Sequence, residues 1–570
     1  MTLPHTTKLP QAGQCIPLYM NQSRRHKTGF VAALPALLVL LLNLCCATLM
    51  ASETEQQVVI TDIIVNRSNI FALPADTTGP PVQGQRLAQT VNRFHKVTLE
   101  SVILRAAGID VGDTIPLVEV DEIERRLRNL GIFASVDATL VTTDEGVELH
   151  ITTRDTFSIV AGFTGSFLGG VGNLGFTAGE RNLFGTGNRL QFGFARSTRD
   201  GFRGSVSFRD LHFFNKPWQA DYSIGRTSDG DFFSAVLSDR FRTLSDRYEW
   251  SVALDYVEFF NEFYLDGRTV LQIPEDRSRL VTRQTWRWGE ADRFLLTGLE
   301  VSFQQSEFSQ PAGSFQGITQ PVDTRTLFIG GSFTSDRVSG RKELLGLDTL
   351  NFVQDIRLGT AARVELGVNV EDDFNTDEDV QLDPAVSVLL NRASTLGKNT
   401  LLRTTLSADA LFEEAGERAW NATARVGVYN TAIDKLTLAF NADYTTGEDG
   451  SDLPIQLTLG ESNGLRGYET RQFQGRQRLR TNLEARYNAG WKLGFLDVGI
   501  IGFADAGWAA ARDDTSPSLN RSIGAGLRLG SNALFGSRVF RIDVAFPLDP
   551  PPGDDSNPSL SAALGQVFRF

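Results

Sequence analysis

Leu459-Gly460-Glu461-Ser462-Asn463-Gly464-Leu465-Arg466-Gly467-Tyr468-Glu469 decides the fold, read together with a later stretch, Gly502-Phe503-Ala504-Asp505-Ala506-Gly507. An arginine held between glycines can bring its backbone close to a wall, and a lone aspartate in an apolar strand needs a partner or water. Each stretch supplies what the other lacks. Between them Asn482-Leu483-Glu484-Ala485-Arg486 adds a second carboxylate, so Arg466 has two candidate partners, Asp505 and Glu484. Arginine suits the task because its planar fork can engage one carboxylate bidentately and still reach another.

Outward from this pair, residues from about Phe157 to Phe570 show runs of ten or so positions in which every second residue is apolar. Arg189 to Phe194, Gly204 to Phe208 and Lys435 to Phe440 are examples. Period two with polar alternates places one face against something apolar and the other against water. A soluble sandwich has the same period, so the connections decide. Phe184 to Asn188 and Asn215 to Pro217 are short, whereas Phe259 to Arg277 and Gln304 to Asp323 read as long. That asymmetry predicts an all-β transmembrane antiparallel barrel. The runs count to about fifteen strands before the Arg466 loop and about five after it. The later five are Gln477 to Tyr487, Leu496 to Trp508, Ile523 to Leu529, Val539 to Phe546 and Leu560 to Phe570. An even total puts both barrel ends on one side and the loop on the other. Ser335 to Thr360 is the hardest part of the count.

Leu465-Arg466-Gly467-Tyr468 and Phe503-x-Asp505-x-Gly507 resemble the two signature motifs of the Omp85 superfamily of outer-membrane barrels, the bacterial surface antigen D15-like proteins. Glu180 to Gly187 is similar to the turn after the second strand in those barrels. The resemblance implies a sixth extracellular loop folded into the lumen, with Gly464, Leu465, Arg466, Gly467 and Tyr468 as its motif. Glu484, Phe503, Asp505 and Gly507 are then the wall partners. It implies sixteen strands, fewer than the pattern count. Leu564, Phe568 and Phe570 at even spacing resemble the aromatic final strand by which the outer-membrane assembly machinery recognises its clients.

Residues 53–157 read as a small α/β unit ahead of the barrel at 158–570. Val58 to Val65 is a β-branched strand, Thr98 to Ala107 a helix closed by Gly108, and Asp121-Glu122-Ile123-Glu124 has capping-box spacing before a second helix. Val136 to Thr142 and Val147 to Thr153 follow as a hairpin. This β-α-α-β-β order, with Gly112-Asp113 and Leu130 to Phe133, looks like a POTRA domain interrupted by an insertion at about 67–90. Residues 1–52 carry a basic cluster at Arg24 to Lys27, an apolar run and a small-residue end, the pattern of a signal peptide whose cleavage falls between Thr48 and Glu53. Met20 offers an alternative start, and an uncleaved anchor is the alternative reading.

Composition narrows the chemistry. The net charge of −13 argues against a nucleic-acid surface. The three cysteines, Cys15, Cys45 and Cys46, all precede the expected mature start, which excludes disulfides and thiolate metal sites beyond it. His95 reads as a capping or packing residue rather than a ligand. Gly460-x-Ser462-x-Gly464 matches a nucleophile elbow, but no following helix or nearby histidine supports it, so it reads as chance. Glu371 to Asp379 offers oxygen ligands, yet Glu378 and Pro384 stand where a calcium loop needs glycine and glutamate. With Glu448 to Asp452 it reads as a solvated outer loop. No catalytic residue, cofactor or metal is called, and no enzymatic activity.

The resemblance implies a protein acting in insertion, assembly or translocation of other proteins. Its partners would be outer-membrane lipid and a client polypeptide at the POTRA strand edge, with the N-terminal domain in the periplasm. A dedicated transporter like those of two-partner secretion, or a passive channel or surface receptor on the same scaffold, are the alternatives. The former usually carry two POTRA domains and a plug helix, neither of which is read here.

Overall fold

β-Branched runs and amphipathic helices come first along the chain. In a computed structural model, β1 (Gln57–Ser68), α1 (Glu100–Ala107), β2 (Thr114–Pro116), α2 (Val118–Asn129), β3 (Phe133–Thr143) and β4 (Gly146–Asp155) build the α/β unit. The structure describes residues 57–71, 86, 89–90, 92–93, 95–242, 246–289, 293–315, 318, 321–350, 353–373, 381–412, 418–448, 456–494, 496–531, 538–551 and 557–569. The signal-like segment, most of the insertion, residues 374–379 of the first acidic loop and 449–452 of the second lie outside them.

The sheet order is β2-β1-β4-β3, with β1 and β4 parallel. Ile103, Ala107, Ile123 and Leu127 recur at helical spacing and bury against Ile60, Leu149 and Ile151. Gly108 in the left-handed conformation (φ 66°) ends α1. The capping box expected at Asp121 is corrected: α2 already begins at Val118, and its cap, Leu117, makes no side-chain bond. Glu122 and Glu124 pair instead with Arg125 and Arg128 one turn further on, so neither is free to reach back to a cap. The short β2 was not read from sequence. It covers β1 only over Gln57–Val59, so β3 is the long free edge.

From β5 (Ile159–Leu168) to the strand Ser559–Leu564 the chain closes into an antiparallel barrel of twenty wall strands. Fifteen precede the Arg466 loop and five follow it, as the pattern predicts, and twenty replaces the sixteen of the family expectation. Phe163, Phe176, Phe192, Ile224, Leu280 and Ile329 point outward and exposed, and polar alternates line the lumen. An apolar band outside a closed hydrogen-bonded wall is what lipid requires, because closure leaves no backbone edge in hydrocarbon.

Two barrel expectations change. Phe259 to Arg277 is not a loop: strands Tyr248–Leu265 and Arg268–Gly289 stay paired up to Leu265↔Arg268 and turn at Asp266-Gly267. Phe263, Leu271 and Ile273 there pack against Phe308 and Phe315 in a satellite core, which obscures strict alternation. The final strand also stops early, at Leu564 rather than Phe570. Gly565 (φ 104°) turns the chain inward, and Phe568 is buried with Leu347 and Tyr429 instead of continuing the wall. Phe570 lies outside the described residues. Ser335 to Thr360 resolves into strands Thr324–Leu345 and Val353–Asp373.

Candidate functional site

A short two-stranded neck, Leu457–Leu459 paired with Phe473–Gly475, carries the Arg466 loop into the barrel. Beyond it Glu461–Asn463 forms one 3-10 turn, with Ser462 bonded to neighbouring Asn463, so the G-x-S-x-G match has no helix behind it. Gly464 (φ 95°) and Gly467 (φ 92°) adopt backbone that a side chain disfavours, and these two bends aim Arg466 at the wall. Leu459, Leu465 and Tyr468 bury together beneath Phe473.

Arg466 is 0% exposed. Its Nε and Nη2 donate to the two oxygens of Asp505 at 2.6 and 2.8 Å, a bidentate fork. Nη1 lies 2.8 Å from Glu484 Oε1 in an ion-pair contact off the hydrogen-bonding line, and 3.7 Å from Asp543. The Phe503 ring sits 3.5 Å from the guanidinium carbon and covers its face. Gly507 keeps the wall open to the loop: a Cβ there would lie 2.5 Å from Leu479 O and 3.0 Å from the Leu459 side chain. The structure therefore brings Gly464, Leu465, Arg466, Gly467, Tyr468, Glu484, Phe503, Asp505 and Gly507 into one place. Leu564 and Phe568 belong to other surroundings.

Sequence reasoning missed several residues of this site. Asn482 Nδ2 donates both to Asp505 (2.8 Å) and to Gly464 O (2.6 Å). Glu461 accepts from Gly467 N–H at 2.9 Å, and burial raises its pKa. Asp543 receives Arg528 at 2.6 Å and Arg541 at 2.8 Å. Tyr468 donates to Arg521 O (2.7 Å), and Thr470 to Leu168 O (2.9 Å), so the loop bonds walls on either side of the barrel's closing joint. The signal for Asn482 and Arg486 was present, since both share the lumen parity of Glu484. Nothing local marks Asp543 as near Arg466.

His95 is placed elsewhere: its Nε2 is 2.7 Å from Asp155, which also accepts from Thr98 N–H (2.8 Å). Asn182, in the turn region that resembles Omp85 barrels, donates to Thr98 Oγ1 at 2.8 Å and ties the α/β unit to the barrel. Among the described residues no group of side chains has metal-ligand clustering.

Wall and loop together define a transmembrane β-barrel whose lumen holds an inward-folded loop. No family model and no curated protein matches the chain. Among solved structures it is similar to BamA from Haemophilus ducreyi lacking POTRA domains 1-3, at 12% identity over 89% of this chain and 84% of that one, with TM-score 0.44. It is also similar to CdiB from Acinetobacter baumannii (11% identity, 94% and 96% covered, TM-score 0.40) and to the alcaligin outer membrane receptor FauA from Bordetella pertussis (10%, 74% and 78%, TM-score 0.36).

Proposed function

We propose that the chain is an Omp85-type outer-membrane protein that inserts, assembles or translocates other polypeptides. In this reading the α/β domain is POTRA-like and periplasmic, and the Arg466 loop enters the lumen from outside. The observation that carries it is the joint of the barrel. Among the described residues, Ser559–Leu564 meets β5 at a single register pair, Ala562↔Phe167, whereas the neighbouring strands Val539–Pro547 and Ser559–Leu564 pair from Phe540 to Ala545. Unpaired backbone facing lipid is costly, so a joint of this kind favours accepting another strand. The protein works by binding and templating, without catalysis or cofactor. Lipid around the belt and a client polypeptide are its partners, and nucleic acid is not.

The α/β domain offers a second edge. Ala138 N–H donates to the Glu124 side chain at 2.9 Å, so it points away from β4. By the period of two, Leu140 and Thr142 present their N–H groups to the same edge. An extended client segment can add there through main-chain bonds. Thr142→Pro removes one edge donor and leaves the ladder to β4 intact. Photo-crosslinking of client from this edge in living cells is expected to fall about 2- to 12-fold, the worth of one hydrogen bond. Unchanged capture in both Leu140→Pro and Thr142→Pro would remove strand addition at β3 from the mechanism.

A channel reading draws on one feature: a polar recess of about 540 Å³ in the lumen, lined by Arg279, Arg283, Glu300, Glu365, Asn369 and Glu371. Ion conductance of the purified barrel in planar bilayers, with envelope assembly unaffected by depletion, would favour that reading over client insertion.

A further inference from the structure

A second plug occupies the end of the lumen opposite the mouth of the Arg466 loop. After Leu564 the chain turns in at Gly565, and Phe568 packs with Leu347, Leu401 and Tyr429. Leu347 belongs to the connection between strands Thr324–Leu345 and Val353–Asp373, whose Leu347 to Leu350 are all buried. Two buried arginines hold these pieces. Arg486 donates to Phe568 O (3.0 Å), Leu347 O (2.8 Å) and Asp348 (3.0 Å), and Arg528 Nε donates to Gln566 Oε1 (2.7 Å).

Each of the two arginines shares a carboxylate with Arg466. Arg486 Nε bonds Glu484 Oε2 at 2.8 Å while Arg466 lies 2.8 Å from Oε1. Arg528 bonds Asp543 Oδ1 at 2.6 Å while Arg466 lies 3.7 Å from Oδ2. Loop and plug also meet directly, since a Cβ on Gly464 would be 3.2 Å from Val567 Cγ1.

We propose that residues 565–569 and the Leu347–Leu350 turn form a lumen plug whose docking is one linked equilibrium with that of the Arg466 loop, Arg486 and Arg528 being the positioning residues. If the plug leaves, Arg486 loses two carbonyls, the Asp348 carboxylate and the Phe568 ring, Arg528 loses an amide, and both turn further toward Glu484 and Asp543. Water then enters the lattice and weakens what remains of Arg466's anchorage. Linkage requires the converse: freeing the loop loosens the plug by the same factor. The device stands whether or not the protein handles clients.

The test uses the full-length protein in membranes, with Cys15, Cys45 and Cys46 replaced by serine. Trypsin cleavage within the loop, after Arg466 and Arg471, reports loop release, and maleimide labelling of Val567→Cys reports plug release. Phe568→Ala and Arg486→Lys are each expected to raise the loop-cleavage rate about 5- to 150-fold. Arg466→Ala is expected to raise Val567→Cys labelling by a similar factor. Arg486→Lys retains charge toward Glu484 but cannot bridge both plug carbonyls, so a purely electrostatic role would leave its loop at the parent rate. Should Phe568→Ala fail to fold, Gln566→Ala replaces it, removing the bonds of Gln566 to Arg528 and to Asp348 O within the plug. Loop cleavage within twofold of the parent in all variants that fold would overturn the proposal, as would loop release in Arg466→Ala with unchanged labelling.

Discussion

Arg466→Ala is expected to destabilise the loop-docked barrel by about 3 to 5 kcal/mol, because it leaves buried carboxylates without their counter-charge. Asp505, Glu484 and Asp543 all face the same guanidinium, and each is 2% exposed or less. Asp505→Ala is expected to do less harm than Arg466→Ala, since Glu484 and Asp543 remain to hold the arginine. Arg466→Lys restores only part of the loss: an ammonium offers no fork to Asp505 and no flat face to Phe503. The double variant Arg466→Ala/Asp505→Ala is expected to cost less than the two singles together, with a coupling of about 0.5 to 3 kcal/mol. Heat-modifiable mobility gives the stability cycle, and protease access to the loop gives an independent reading. Additivity within about 0.5 kcal/mol, or ready cleavage of the unmutated loop, would mean that the buried fork does not hold the loop in solution.

The wall was legible because lipid imposes a simple rule. Outward residues such as Phe192 and Ile224 must be apolar while their neighbours face water, and that period of two survives in sequence wherever a strand crosses the belt. Where a hairpin leaves the belt, the rule lapses. Phe259 to Arg277 read as a loop because Phe263 and Ile273 pack in a satellite core beside lumen-facing charges. The final strand misled for a related reason. Even apolar spacing at Leu564 and Phe568 fits a strand, but the positive φ at Gly565 sends Phe568 to Tyr429 and Arg486 instead.

The candidate site was legible only in its paired motif. Glycine, arginine and aspartate announce close approach and mutual need, and Glu484 shares lumen parity with Asn482 and Arg486. The charges that complete the lattice come from far along the chain. Arg528 and Asp543 lie on the two strands that follow the strand of Asp505, and the antiparallel pairing of those strands brings them beside Arg466, whereas Asp348, in the turn after Thr324–Leu345, reaches the lattice through Arg486. Glu461 was hidden differently, because its partner Gly467 N–H comes within reach only when the glycine-rich loop folds on itself.

Tying the joint shut is expected to abolish client insertion, under the proposed function. Phe167 and Ala562 are the one register pair across it among the described residues and share the outward parity of their strands. Continuing that register past Leu564 would set Gln566 opposite Phe163 and Phe568 opposite Ala161, but those residues lie in the lumen plug. β5 from Ile159 to Ser166 therefore has no wall partner on that side among the described residues. Each backbone pairing there would contribute about 0.5 to 1.5 kcal/mol, and more in lipid, where no water competes. An incoming strand can claim that difference only if the joint opens. Cysteines at Phe167 and Ala562, with the three native cysteines replaced, form a disulfide across register partners of suitable separation. Oxidised protein is expected to lose insertion of a model client by tenfold or more and to regain it on reduction, while remaining folded by heat-modifiable mobility. Full insertion by the locked, oxidised barrel would show that clients do not pass through this joint.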